Sequence, residues 1–293
     1  MFDDLVRQGL VKKKTYDNGL SVFKYSREVF YRHLWNTDPL LLEARGMVLD
    51  DEGNKVMWPF TKVFNHNENN TVCDAERLVD VVYKVNGFLG VVGEYKGETI
   101  YGTTGTLDSD YAKMVEKHVS DYIPANLLKG FTWMFEICDV SDPHIVHEQE
   151  GAWLIGVRRN SDGAMATEYQ LDDFALAGGF MRPEWTQLTF GEATQLAATS
   201  KNEGFMIRDA WTGEFLMKIK TPHYLTKKFI MRMGAKKVDF MFDNKVELFK
   251  TIDEEFYGIV NYITSSWTAE NWKLVSEVER RAVIEKYFEI GAE

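Results

Sequence analysis

Tyr83-Lys84-Val85-Asn86-Gly87-Phe88 is the stretch on which the reading of this chain turns. A lysine leaves a β-rich run over 78–84, and an Asn-Gly turn follows two residues later. Beyond it, 88–93 and 99–101 read as further strands, joined by a hairpin turn at Lys96-Gly97. Upstream, 20–25 and 46–50 are short β-rich runs beside Asp17-Asn18-Gly19 and Asp51-Glu52-Gly53. Downstream, 110–122 has apolar residues at helical spacing, whereas 133–138, 153–157, 203–208 and 214–220 read as strands. Taken alone, the lysine segment equally describes a surface lysine before a hairpin.

Further candidate residues follow in a fixed order. Phe135-Glu136-Ile137 sets one carboxylate between apolar neighbours, and Glu203-Gly204-Phe205 sets another at the start of a strand. Lys218-Ile219-Lys220 alternates, so its two lysines share a face. Each has a plain alternative, a solvated glutamate or a lysine-guarded sheet edge. The four together and in order are a much rarer accident.

Past Thr221-Pro222 the pattern changes to helical spacing, with expected helices over 247–263 and 270–288. The expected organisation is an α+β domain over 1–222 and a small all-α domain over 223–293. A net charge of −11 argues against a protein that simply coats nucleic acid. Charge is unevenly spread, however: Lys218 to Lys237 holds Lys220, Lys227, Lys228, Arg232 and Lys236 with no acid. That stretch suits phosphates, or is a solvated basic face. No apolar run has the roughly 18 residues of a membrane span, and the start lacks a signal-like segment. Two cysteines, Cys73 and Cys138, in no metal or redox spacing point to a reducing, cytoplasmic setting. His144 and His147 lack a zinc pattern, Gly87, Gly90 and Gly93 read as turn formers, and Asp253-Glu254-Glu255 reads as a solvated helix face.

These residues resemble the covalent nucleotidyltransferases, the superfamily of DNA ligases, RNA ligases and mRNA capping enzymes. Lys84-Val85-Asn86-Gly87 is similar to motif I, Phe135-Glu136 to motif III, Glu203-Gly204-Phe205 to motif IV and Lys218-Ile219-Lys220 to motif V. Leu154 to Arg158 falls at the intermediate motif between III and IV. The resemblance is to the phage-type RNA ligase 1 family in particular. Its marks here are Val22 to Tyr25, Ala44-Arg45-Gly46-Met47, Pro59 to Glu68, Gly102 to Leu107, and Tyr224 after motif V. Two departures stand out. Position 86 is asparagine where motif I usually has aspartate, and only 73 residues follow Lys220 (293 − 220).

The resemblance implies a nucleotidyltransferase (adenylation) domain of mainly antiparallel sheets with flanking helices. It implies an ATP-dependent RNA ligase that joins RNA 5′-phosphate and 3′-hydroxyl ends through lysine–AMP and adenylylated-RNA intermediates, in repair of tRNA-like RNA, with a bacteriophage origin and action in the host cytoplasm. Lys84 would be the nucleophile, with Glu136, Glu203, Lys218 and Lys220 as the other catalytic residues. Tyr25, Arg45, Lys62, Phe64 and Tyr224 would join Lys84, Glu136, Lys218 and Lys220 around ATP, and Glu203 would engage Mg²⁺. For Phe64 plain core packing is an equal alternative. No membrane is involved and a monomer is expected. The alternatives are an inactive nucleic-acid-binding repair protein, a DNA ligase or a capping guanylyltransferase; for the last two a β-barrel is expected after residue 223.

Overall fold

A computed structural model describes the chain except residues 122, 124–127, 253 and 291–293 and the side chain of residue 255. The chain divides into two compact units. The first holds 1–193 and 205–219, the second 194–204 and 220–293.

The first unit is built on three four-stranded sheets. One has the order β1 (Val11–Thr15), β2 (Ser21–Tyr25), β3 (Arg45–Leu49), β4 (Lys55–Met57). β5 (Leu78–Tyr83) enters a different sheet from the two strands that follow it: β6 (Phe88–Tyr95) and β7 (Glu98–Thr103) join β8 (Phe131–Cys138) and β9 (Gly151–Arg159) in the order β7-β6-β8-β9. The sheet of β5 also takes β10 (Trp185–Thr189), β11 (Gly204–Asp209) and β12 (Phe215–Lys220), in the order β10-β5-β11-β12. Pairing between the named strands is antiparallel wherever a register is defined. This is the α+β class expected from the sequence.

Alternation explains the layering. Val22 and Val48 face Val56, Met57 and Val91, which glues the β1–β4 sheet to β6. Phe23 and Met47, one residue along, face the other way onto Phe2, Trp35 and Leu41. Phe135, Ile137 and Leu154 of the β6–β9 sheet pack under the helix Asp110–Val119 and the helix Glu168–Gly178. Ser109 starts the former helix by accepting from the Ala112 N–H. Tyr122, the expected end of that helix, lies outside the described residues. The hairpin at Lys96-Gly97 is as expected, with φ of 53° and 87°.

Gly90 and Gly93 are not turn formers. Gly90 and Gly93 lie within β6, where an added Cβ would meet Val115 at 2.8 Å or Met57 at 2.6 Å. They permit close packing between layers.

The second unit is helical beyond Lys220, and no strand follows that residue among the described residues. Its core gathers Ile230, Val238, Met241, Ile259, Ile263, Trp272 and Ile284. The two long helices expected there are broken. The first resolves into Lys245–Phe249 and Tyr257–Ser266, the second into Ala269–Leu274 and Glu277–Ile290. Ser276 causes the second break: its hydroxyl accepts from the Glu279 N–H, and Glu279 reaches back to the Ser276 N–H at 2.8 Å. Asp253 and the Glu255 side chain lie outside the described residues. No helix among the described residues is long and apolar enough to cross a membrane.

Candidate active site

Lys84 stands one residue past the end of β5, a central strand whose Val79, Val81 and Val82 are buried. The lysine is half-buried, and Val85 and Asn86 after it are buried. Gly87 then passes so close to β8 that an added Cβ would lie 2.2 Å from the Ile137 carbonyl oxygen. Only glycine fits there. At this approach the Gly87 N–H donates to Glu136 Oε1 at 3.0 Å. The lysine's own turn thus fixes the carboxylate.

Asn86 is bound on both sides. Its Oδ1 accepts from the Val146 N–H at 2.9 Å, and its backbone N–H donates to Glu148 Oε1 at 3.2 Å. The Tyr83 hydroxyl donates to the same oxygen at 3.2 Å. Glu148 is a carboxylate that sequence reasoning missed. It sits in an irregular segment after β8, with no periodic pattern to mark it. Cys138, buried beside Gly87, has its thiol pushed up to about 12 by burial and by the charges of Glu136 and Glu148, with Lys84 opposing. It is a thiol, not a nucleophile, at neutral pH.

Cations collect on the facing part of the first unit. Arg45 opens β3, where the Tyr25 N–H donates to the Ala44 carbonyl at 2.7 Å. Burial pushes the Arg45 guanidinium down from its ordinary value, while Tyr25 and Glu136 oppose that shift. Gly46 follows with φ +94°, and an added Cβ would lie 2.6 Å from Thr104 Cα. The glycine-containing turn after β7 therefore packs directly on Arg45-Gly46. Lys62, its side chain only 9% exposed, lies over the rings of Phe64 at 4.5 Å and Trp35 at 5.2 Å. Trp35 in turn meets Tyr25 and Phe64 edge-on. Phe64 is a core residue that also supports Lys62. Burial holds the Lys62 ammonium below its ordinary pKa; Glu68, 3.9 Å away, opposes this and Arg45 reinforces it.

Lys218 reaches this group through a parallel bridge between Asn65 and β12. Its N–H donates to the Phe64 carbonyl, and its carbonyl accepts from the His66 N–H, both at 2.9 Å. Glu68 is held down by the Asn65 N–H groups, Lys62 and Lys218 although burial opposes it. Within the first unit, Tyr25, Arg45, Lys62, Phe64, Lys84, Glu136 and Lys218 thus form one linked neighbourhood. Arg158, from the intermediate motif, braces it: it donates to the Pro59 carbonyl at 2.9 Å and to Glu43 at 3.2 Å, which ties β9 to the segment carrying Lys62.

The remaining candidates belong to the second unit. Lys220 Nζ is 3.8 Å from Glu203 Oε1 and 5.2 Å from the centre of the Tyr224 ring. Thr221 donates to the Asn202 carbonyl at 2.5 Å and accepts from the Tyr224 N–H at 3.0 Å, capping the helix Pro222–Met231. Glu203, Lys220 and Tyr224 are thereby held around one helix start. In the basic stretch, Lys227 is ion-paired with Glu285, which also meets His223 Nε2 at 3.1 Å. Arg232, Lys236 and Lys237 are exposed.

Elsewhere His118, Asp139 and Glu150 converge with ligand atoms within 4.8 Å. Lys117 Nζ, 2.7 Å from Asp139 Oδ2, already neutralises that carboxylate.

A family model described as RNA ligase matches residues 43–248. The chain belongs to the RNA ligase family. That match runs from just before Arg45 to past Tyr224, and so spans every motif of the ligase resemblance from Arg45 onward. No curated protein sequence matches the chain. Among solved structures, an archaeal ATP-dependent RNA ligase is similar at 13% identity with a TM-score of 0.61, over 97% of this chain and 75% of that one. A second form of an archaeal ATP-dependent RNA ligase gives 14% and 0.60, over 98% and 75%. A putative ATP-dependent DNA ligase from Aquifex aeolicus gives 13% and 0.56, over 98% and 77%. At these identities the likeness shows a shared fold alone. The family match, not the fold, separates RNA ligase from DNA ligase.

Proposed function

We propose that this member of the RNA ligase family uses ATP to join RNA 5′-phosphate and 3′-hydroxyl ends in repair of broken RNA, through a covalent AMP on Lys84. The observation that carries this reading is the Lys84–Gly87 turn locked onto Glu136, with the half-buried cations Arg45 and Lys62 in the same neighbourhood. An ionised carboxylate accepts but does not donate hydrogen bonds, so Glu136 suits the ribose hydroxyls of ATP. Arg45, Lys62 and Lys218 suit its phosphates, since nucleotidyl transfer depends on positioning and charge neutralisation.

Lys84 attacks the α-phosphorus as a free amine, a form scarce at neutral pH for a group whose ordinary pKa is near 10.4. Neighbouring positive charge, such as that of Lys218, would disfavour the ammonium. Glu203 would hold Mg²⁺ through water, because this ion sheds its hydration shell reluctantly; when bound it would supply charge neutralisation at the phosphates. AMP then passes from Lys84 to the RNA 5′-phosphate, and the 3′-hydroxyl expels it. Asn86 keeps its place through the Val146 N–H, a contact an amide makes as well as a carboxylate. We assign 1–222 to the adenylyltransferase part and 223–293 to a small helical part, and the whole protein to action as a monomer in the cytoplasm.

The test is joining of a 5′-phosphorylated RNA with ATP and Mg²⁺, with DNA ends in parallel. RNA joining that Lys84→Ala abolishes is the expected result. Full joining by Lys84→Ala, or a preference for DNA ends, contradicts the reading.

A further inference from the structure

The β1–β2–β3 strands set three cations directly opposite one another. Lys12 pairs with Lys24, and Lys24 pairs with Arg45 just past a register shift between Phe23 and Lys24. Lys12 and Lys24, directly across a regular antiparallel ladder, project from the same face, and neighbouring strands lie about 4.8 Å apart. The row runs from half-buried Arg45 through exposed Lys24 to exposed Lys12 on the outer strand of the sheet.

Packing agrees with the register. The turn that covers Arg45-Gly46 also carries Gly105, where an added Cβ would lie 3.3 Å from Lys24 Nζ and 3.6 Å from Lys24 Cδ. Arg45 and Lys24 therefore flank one turn, 103–106.

Like charges directly opposite one another in a sheet are destabilising. Lys14, two residues along β1 from Lys12, is relieved by Asp108 and by Thr106 at 3.2 Å. Among the described residues no carboxylate lies within ion-pair distance of Lys24 or Lys12. An outside anion is what this row lacks. Its inner end is at Arg45, beside the carboxylate assigned to the ribose, so the anion begins at the nucleotide.

We infer that Lys24, one strand outward from Arg45, binds the β- and γ-phosphates of ATP and the pyrophosphate that leaves. This rests on the ligase reading above. In the step concerned, the bond from Lys84 Nζ to the α-phosphorus forms as the bond from that phosphorus to the bridging oxygen breaks. The electron pair and the charge leave on pyrophosphate, and the amine proton passes to water. Lys24 stabilises the charge that develops on the leaving group.

The inference separates the steps of ligation. Lys24→Met should slow formation of Lys84–AMP at subsaturating ATP by about tenfold or more, the scale of one lost hydrogen bond between charged groups. Reversal of preformed Lys84–AMP by inorganic pyrophosphate should slow equally, and Lys24→Arg should restore most of both. Joining of pre-adenylylated RNA without ATP involves no pyrophosphate and should keep its wild-type rate. Lys13→Met serves as the control, since Lys13 is opposite Phe23 on the other face. It should alter none of these rates. Wild-type adenylylation by Lys24→Met overturns the inference. A loss confined to joining of pre-adenylylated RNA also overturns it and assigns Lys24 to the RNA strand. Failure of the wild-type protein to form Lys84–AMP overturns the ligase reading itself, and is told apart because it precedes any effect of Lys24.

Discussion

Lys62 in the first unit and Lys227 in the second are both largely buried lysines, with side chains 9% and 13% exposed. They are kept in opposite ways. Lys62 rests on aromatic rings with its nearest carboxylate at 3.9 Å, and burial pulls its pKa down. Lys227 is ion-paired with Glu285, a carboxylate it shares with His223. A cation that its own protein leaves under-neutralised gains from a ligand's phosphate. A cation already paired holds helices together. Two buried lysines alike in sequence therefore have different tasks.

The largest effect that sharpens this contrast is expected from Lys62→Met. Adenylylation should fall about a hundredfold, ~2.7 kcal/mol at the transition state, while the thermal midpoint at pH 7 stays level or rises. Methionine leaves the desolvated charge out yet keeps the contact with Phe64 and Trp35. A lowered midpoint would place Lys62 with the structural lysines. Lys227→Met should do the reverse, lowering stability by about 1 kcal/mol with Glu285 left half-paired, and leaving the rate of adenylylation near wild type. Urea unfolding beside the labelling assay separates the two.

The smallest effect is a pH dependence in the second unit. Burial is the main cause holding the His223 imidazole below its ordinary value of 6.5, with Glu285 opposing and Lys227 assisting. Below that pH the unfolded chain takes up a proton that the folded chain resists. Stability from this site is thus present above about 6.5 and declines as pH falls through that value. His223→Gln should flatten the slope, as read from thermal midpoints between pH 5 and pH 7.5, a range of about one ordinary titration.

Much of the fold was legible because its central strands alternate or are wholly apolar. The runs at 78–84, 88–93 and 133–138 lie within one or two residues of β5, β6 and β8 or inside them. The two outer strands of the β1–β4 sheet were not. Val11–Thr15 buries only Val11, and Lys55–Met57 is three residues long, so neither carries a period. The helix Glu168–Gly178 was missed although Thr167 and Gln170 form a capping box that sequence displays. Lys84 and Glu136 could be found because each lies on or beside a recognisable strand. Glu148 could not, since it meets Asn86 across 62 residues from an irregular segment. Lys24 escaped notice for another reason: its significance is a register, and register is not written in one strand alone.

The most direct test of the account is peptide mapping of the wild-type protein after incubation with ATP and Mg²⁺ but no RNA. The account predicts the mass of one AMP on the peptide containing Lys84, released again by pyrophosphate and missing from Lys84→Ala. AMP on another lysine, or a folded and initially unmodified protein that acquires none, would contradict it.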